Sequence, residues 1–507
     1  MLFSSQRWAA LALFSLASLS QLNSAAATQH DDALQHHHQH PRAEDGTLLP
    51  LADRAKIQRF IKNVGTRYAQ AGSPPANKWE SASARAQGLD TTIASSDNKV
   101  QADILQQIAQ ALKAGIDRVG EELAKVVPEA SLNGQKLIPR MLGGSTGNQG
   151  GGAVITLPLR DMVQAEQQDA EYLAEVQIGT PPSTYLLQAD SGSSDAWVAS
   201  ARCNTPPCKG VGGARARYNT SFSSTYSPTP SNRSFELYYS IGGVKGRMIR
   251  DIFTFKGLSG AALTIRSQTF GLASLLSSDF AKDPTDGVLG LGFRALTTAG
   301  ERPVLQNLFA QNKQLKSQVV AFFLGRKASG TDTKSEMRIG DTNPALYKGE
   351  IRYVPVSTRA YWAFRFGNFG VGGASAQNTV SGSPNSNLEG VVDTGTSYIA
   401  MNYDAASTFW NAIPEAQSVA AYGYWVMPCA KLNKLVVNFT LPDGTAYTLN
   451  PRDLNAGVAY SGSSNCIGTV FSADTGNKVI FGASLLKSLY LVLDWGANRI
   501  GFAQAAI

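Results

Sequence analysis

The sequence predicts an all-β body of two similar lobes preceded by a helical leader, and three observations carry that prediction. From about residue 154 the chain breaks into short runs rich in Val, Ile, Thr, Tyr and Phe, separated by Gly, Pro, Asn and Ser. Within that body an acidic motif and a glycine element each occur twice, in the same order. Before residue 150 the apolar residues fall instead at three- and four-residue steps, the mark of amphipathic helices.

The leader has an order of its own. Residues 1–27 carry one positive charge at Arg7, an apolar run from Trp8 to Ala17 and a small-residue exit at Ser24 to Ala27. That order reads as a secretory signal peptide, with a short buried helix as the alternative. Ile104, Leu105, Ile108, Leu112, Ile116, Val119, Leu123 and Val126 predict a helix within residues 100–127. Residues 52–69 set Ile57, Phe60, Ile61 and Val64 among Arg54, Lys56, Arg59, Lys62 and Arg67, a basic amphipathic pattern that suits a solvated charged face or a membrane surface. Gly143, Gly144 and Gly150 to Gly152 then mark a linker into the body.

In the body, Val154 to Leu159, Leu173 to Ile178, Phe235 to Tyr239 and Lys434 to Phe439 read as strands. A chain of 507 residues with 43% apolar residues, 16% charged residues and 48 Gly suits a large β core with many tight turns. The net charge of +7 is spread without a basic run or an interleaved aromatic ladder, which argues against nucleic-acid binding. All five histidines, His30, His36, His37, His38 and His40, precede the body. A Ser-His-Asp triad, a Cys-His pair and a His-ligated zinc are thereby excluded there, so acid and base must be carboxylates, Lys or Tyr. No later run approaches the roughly 18 apolar residues of a membrane-spanning helix.

The four cysteines fit disulfides in an exported chain. The short spacing of Cys203 and Cys208 suggests a local clip and leaves Cys429 for Cys466; four thiolates around zinc is the rival arrangement. Asn219, Asn232 and Asn438 begin glycosylation triplets.

The repeat carries the chemistry. Leu186 to Ser194 contains Asp190-Ser191-Gly192-Ser193, and Gly390 to Ser397 contains Asp393-Thr394-Gly395-Thr396. Val288-Leu289-Gly290 follows the first motif and Ile480-Phe481-Gly482 the second, at offsets of 100 and 89 residues. An acid at the end of an apolar strand, then a hydroxyl residue and Gly, is a carboxylate held at a tight turn. One copy would read as an ordinary turn; two copies in matching contexts point to a paired site.

On these motifs the chain resembles the pepsin-type aspartic proteases. The resemblance covers residues 154 to 507 and includes Ile178 to Pro182, Trp197-Val198, Tyr239 on a flap strand, Asp286 to Gly290, Tyr361-Trp362 and Leu493-Asp494 before Ile500 to Phe502. It implies an all-β, bilobal pepsin-like acid protease fold with the active-site cleft between two β lobes, preceded by a helical propeptide. The expected divisions are a signal peptide at 1–27, a propeptide at 28–153 and lobes at 154–355 and 356–507. Asp190 and Asp393 are the implied catalytic pair, supported by Ser191, Gly192, Ser193, Thr394, Gly395 and Thr396. Ser193 and Thr396 are expected on the outer carboxyl oxygens, and Tyr239 as a flap reaching Trp197. Trp197, Phe270, Leu289 and Tyr361 are expected to line subsites for bulky apolar side chains, although each of the last three also fits plain core.

Two carboxyls in one site cannot both ionise easily, and aspartic proteases are the type case of this effect. One then acts as base on a trapped water while the other donates to the scissile carbonyl, with no metal or cofactor. Ala483 stands where many relatives carry Asp, which should lower the pair's apparent pKa values. Ser240-Ile241-Gly242 departs from the usual residues after the flap Tyr. The implied partners are protein or peptide substrates and the chain's own propeptide as an intramolecular inhibitor. The basic stretch from Lys56 to Lys62 is the candidate contact with the dyad, and the expected form is a monomer. Self-cleavage is expected between Leu137 and Leu159. Secretion is the expected fate, with an acidic vacuole as the alternative, and the histidine tract is read as a polar segment or as a pH-sensitive one. A catalytically silent pepsin-like binding or inhibitor protein is the rival function.

Overall fold

Alternating apolar residues and frequent glycine turns put the body into strands that share one sheet system. A computed structural model describes residues 152–506 except 165–167, 230–232, 240–241, 299, 373–377 and 384–385, together with residues 57, 58, 60, 61 and 64. The signal-peptide reading, the histidine tract, the 100–127 helix, most of the glycine linker, Asn232, Ser240 and Ile241 lie outside the described residues.

In the first half, β1 (Ile155–Gln164), β2 (Gln168–Ile178) and β3 (Ser183–Asp190) form an antiparallel run, followed by β4 (Trp197–Ala199). The long hairpin strands β5 (Ser234–Tyr239), β6 (Gly242–Lys256) and β7 (Ala262–Leu276) come next, then β8 (Gly287–Gly290). β3 pairs parallel with β8, placing Asp190 opposite Gly290, and β8 pairs antiparallel with β4.

Three strands, β9 (Val319–Phe323), β10 (Glu336–Ile339) and β11 (Tyr347–Arg359), lead into the second half. There β12 (Glu389–Val392) and β13 (Ile399–Met401) precede β14 (Val470–Ser472) and β15 (Lys478–Phe481). β12 runs parallel to β15, which pairs antiparallel with β13. The repeat read in the sequence is thus a repeat of topology: each acidic motif ends a strand that lies parallel to the strand of its own glycine element.

The halves meet in a joining sheet. β16 (Leu489–Asp494) pairs with β9 and with β17 (Arg499–Ala505), β17 pairs with β11, and β1 reaches β10 at Ile155 opposite Ile339. Residue 355, the expected junction of the lobes, lies within β11. The described body is a bilobal, pepsin-like all-β fold whose few helices are short. One large apolar core extends through both halves, and among the described residues three smaller clusters flank it, one beneath the β5–β6 hairpin, one on the second half and one on the joining sheet.

Candidate active site

Parallel pairing with β8 and β15 brings the two acidic motifs to matching positions. Asp190 and Asp393 are 1% and 0% exposed. The Gly192 N–H donates to Asp190 Oδ1 at 2.9 Å, and Ser193 Oγ donates to Oδ2 at 2.5 Å. The Gly395 N–H donates to Asp393 Oδ1 at 2.9 Å, and Thr396 Oγ1 donates to Oδ2 at 2.6 Å. Each carboxyl therefore has one backbone and one hydroxyl donor, in mirrored positions.

The second residue of each motif ties the halves together. The Ser191 N–H donates to Thr394 Oγ1 at 3.0 Å, and the Thr394 N–H donates to Ser191 Oγ at 3.0 Å. Ser191 Oγ in turn donates to the Val392 carbonyl at 2.9 Å and Thr394 Oγ1 to that of Ala189 at 2.6 Å. These buried, reciprocal bonds fix the two turns against each other. The glycines are required by close approach: a Cβ at Gly192 would lie 2.4 Å from Asp393 Cγ, and one at Gly395 2.4 Å from Asp190 Oδ1. Gln188 Nε2 adds a bond of 3.1 Å to the Gly395 carbonyl, an interaction that the sequence did not signal.

A sequence profile of the eukaryotic aspartyl proteases matches residues 171–505. The chain belongs to this family. It is 30% identical to gastricsin of Cavia porcellus over 344 residues, 67% of this chain and 81% of that protein. It is 30% identical to cathepsin D of Canis lupus familiaris over 372 residues, 70% of this chain and 86% of that protein. It is 28% identical to major aspartyl peptidase 1 of Cryptococcus neoformans var. grubii over 353 residues, 66% of this chain and 69% of that protein. The chain is an aspartic-type endopeptidase.

The β5–β6 hairpin of this aspartyl protease covers a small apolar cluster. Trp197 Nε1 donates to Tyr239 Oη at 2.9 Å, and Phe280 meets the Trp197 ring edge-on with centroids 5.7 Å apart. Val288, Val244, Met248 and Phe235 belong to the same cluster. Phe270 and Leu289 do not join it: both are fully buried in the main core, Phe270 against Tyr218 and Phe253. The reason is strand alternation. Trp197 is paired with Val288 on β8 and with Gly271 on β7, so those residues share its face and their neighbours Leu289 and Phe270 point away. Val288 and Phe280 were missed: the face of Val288 follows from its register opposite Trp197, which no local pattern signals, and Phe280 lies in a short helical turn outside the strands.

In the second half of the protease, Tyr361 is buried beside Val391 and Ile480, in the cluster that also receives Ile57, Phe60 and Val64 of the leader. Cys203 is bonded to Cys208 and Cys429 to Cys466. The Asn219 side chain accepts from the Ser221 N–H, and that of Asn438 from Thr448 Oγ1.

A second group of buried charges sits in the protease where the ends of β1 and β2 meet the second half. Arg326 makes a forked pair with Asp453, with its shortest contact at 2.6 Å, and Lys487 reaches Asp169 at 3.0 Å and Asp453 at 2.9 Å. Burial pushes the Asp161 carboxyl up to about 9, helped by its hydrogen bond to Asp169 and by the charge of Asp169. Burial works against ionisation of Asp169 too, but the Lys487 ammonium, the Asp161 hydrogen bond and the Lys327 N–H hold its pKa below the ordinary value. Among the described residues no donor serves the Asp161 oxygens, which fits a carboxyl that burial holds protonated beside Asp169.

Proposed function

We propose that this endopeptidase is made as a secreted zymogen and cleaves peptide bonds with a water held between Asp190 and Asp393. The mirrored donors around the two carboxyls carry this reading. Two carboxyls in one site cannot both ionise easily, so the pair shares one proton and titrates as a unit. The ionised partner takes a proton from the water as it attacks the scissile carbonyl, and the protonated partner donates to the carbonyl oxygen. The resulting gem-diol collapses with proton transfer to the leaving amine. The reciprocal Ser191 and Thr394 bonds hold the geometry, so little reorganisation is needed during reaction.

The substrate preference follows from the walls. Trp197, Tyr239, Phe280 and Val288 on one side, with Tyr361, Val391 and Ile480 on the other, favour bulky apolar side chains around the scissile bond. The zymogen reading is supported by leader residues 57, 60 and 64, which are buried on the second of these walls. Residues 1–27 direct the product into the secretory route, for release or for an acidic vacuole. Among the described residues no helix is long and apolar enough to cross a membrane. Glycans on Asn219, Asn232 and Asn438 and a monomeric mature body complete the proposal.

The test is proteolysis of denatured haemoglobin or casein by acid-treated full chain, with and without pepstatin. Pepstatin-sensitive cleavage is expected, together with self-cleavage between Leu137 and Leu159 that stops in Asp393→Ala. No pepstatin-sensitive cleavage by correctly matured protein would overturn the reading in favour of a silent binding protein.

A further inference from the structure

One surface of the first half gathers guanidinium groups around a single carboxylate. Arg250, Thr269, Arg294, Glu301, Arg302 and Asn307 border a pocket of about 550 Å³, and Glu301 is the one acid among its described lining residues. Arg294 and Arg302 are exposed, while Arg250 and Glu301 are half-buried. Strand pairing sets the floor: Arg250 on β6 stands opposite Thr269 on β7, and its Nε donates to Thr269 Oγ1 at 3.1 Å. Glu301 is shared, 3.8 Å from Arg250 and 3.6 Å from Arg233. Three guanidiniums against one divided carboxylate leave the pocket with an excess of positive charge. The segment that carries Arg294, Glu301 and Arg302 also reaches the cleft. Leu296 packs against the cluster of Tyr361, Val391 and Ile480, and the Phe293 N–H donates to the Ala360 carbonyl at 3.4 Å. Thr298 donates through its N–H and its hydroxyl to Asp195 Oδ2, at 2.9 and 2.8 Å, just beyond the first acidic motif. Arg359, exposed and close before Tyr361 in the chain, lies over the Phe293 ring at 5.6 Å from its centroid. One pinned segment thus joins the arginine pocket to the wall that holds Tyr361.

We propose that this pocket is a docking site for an acidic stretch of the polypeptide substrate, beyond the walls that hold the residues around the scissile bond. The proposal rests on the endopeptidase reading of those walls and deepens it by naming the substrate class: chains that carry a run of Glu or Asp at a set distance from the cut. Guanidiniums suit that occupant, because their planar forks pair with carboxylates in two-point contacts. The distance follows from the segment itself. Between Leu296 and Glu301 the backbone spans at most about 18 Å, which an extended substrate covers in about five residues. The acidic run therefore belongs about five to eight residues from the scissile bond, on one side of it. Once the residues around the bond are held, the run arrives as a tethered group at an effective concentration of about millimolar order, so individually weak ion pairs suffice. Continuity with the substrate walls favours a peptide occupant over a free anionic polysaccharide.

The test compares peptides that share one cleavable core and carry a short tail of Glu or of Gln, set about five to eight residues from the bond at either end. The acid-treated protein is assayed at about pH 5.5, where a Glu tail is ionised. The Glu tail should raise kcat/KM about 10-fold over the Gln tail at one end and leave it unchanged at the other. The gain should lie in KM, because so remote a contact is equal in the ground and transition states. It should fade as salt rises from about 0.02 M to about 0.5 M, which shortens the screening length several-fold. The double variant Arg294→Gln with Arg302→Gln should lose the gain and Glu301→Gln should increase it, while both cleave the untailed core as the wild type does. No gain at either end, equal gains at both ends, or a gain that persists in the double variant overturns the proposal. Tighter binding of dextran sulfate by the wild type than by the double variant, with no gain from the Glu tail, would reassign the pocket to an anionic polysaccharide and likewise overturn it. Fluorescence anisotropy of the labelled tailed peptides reads the pocket without turnover. If correctly matured protein cleaves no peptide, the protease reading falls and the difference between Glu and Gln tails in binding still decides the pocket, whereas cleavage without any such difference keeps the protease and removes the docking site.

Discussion

Val288 and Leu289 are neighbours on one four-residue strand, yet they face different environments and should fail differently. Val288 shares the flap cluster with Trp197 and Tyr239, while Leu289 is buried in the main core. Leu289→Ala is expected to cost about 2–5 kcal/mol of stability through the cavity it leaves, seen in denaturant midpoint, with selectivity unchanged. Val288→Ala should instead alter relative kcat/KM among peptides that differ in the residue beside the scissile bond. If both variants changed stability alone, the assignment of Val288 to the substrate wall would be wrong. The glycines make a sharper case. Gly192→Ala drives a methyl to 2.4 Å from Asp393 Cγ, so the dyad must separate. Losing the concerted acid and base roles should reduce kcat by about 10²–10⁴-fold, with circular dichroism unchanged.

The flap shows what an element adds to its residues. β5 and β6 pair from Ser234 opposite Arg247 to Tyr239 opposite Gly242, and Tyr239 near the tip accepts a hydrogen bond from Trp197. A bond of this kind is worth about 0.5–1.5 kcal/mol, so Tyr239→Phe should lower kcat/KM by about 10-fold at most while the aromatic packing persists. An unchanged kcat/KM in steady-state assays would separate the flap from this bond. The two acidic motifs were legible in the sequence because their chemistry is local: donor, glycine and acid fall within four residues. The Cys203–Cys208 clip was legible for the same reason, Cys429–Cys466 followed as the remaining pair, and the repeated strand order was legible because its motifs recur in order. The face of Phe270 was not, because it depends on which residue of β4 stands opposite Gly271, a register that exists only once three distant strands pair. The leader stretch was likewise read by its charges, whereas its apolar anchors meet a groove built some 400 residues later in the chain.

At the scale of the whole molecule, the buried charges join what the dyad divides. With Asp161 neutral, Asp169 and Asp453 balance Arg326 and Lys487, two charges against two. Such a group adds little net stability when balanced, but an unpaired buried charge is strongly destabilising. The Asp161 carboxyl releases its proton near 3.8 when unfolded but holds it to about 9 in the fold. Between those values the unfolded chain binds fewer protons, so stability from this group is full in acid and declines as pH rises. Asp169 has the opposite sign: its lowered pKa contributes stability above the ordinary carboxylate range that is lost as pH falls. Asp161→Asn keeps a donor for Asp169 and has no proton to lose. Its melting temperature should therefore fall less steeply than that of the wild type between about pH 5 and pH 8, and the two proteins should converge in acid. Asp169→Asn should do the reverse, losing stability most at neutral pH by stranding the Lys487 ammonium beside a single remaining partner, Asp453. Parallel melting curves for wild type and Asp161→Asn across that range would show that Asp161 is ionised in the fold, and the cluster would then carry one more negative charge than positive.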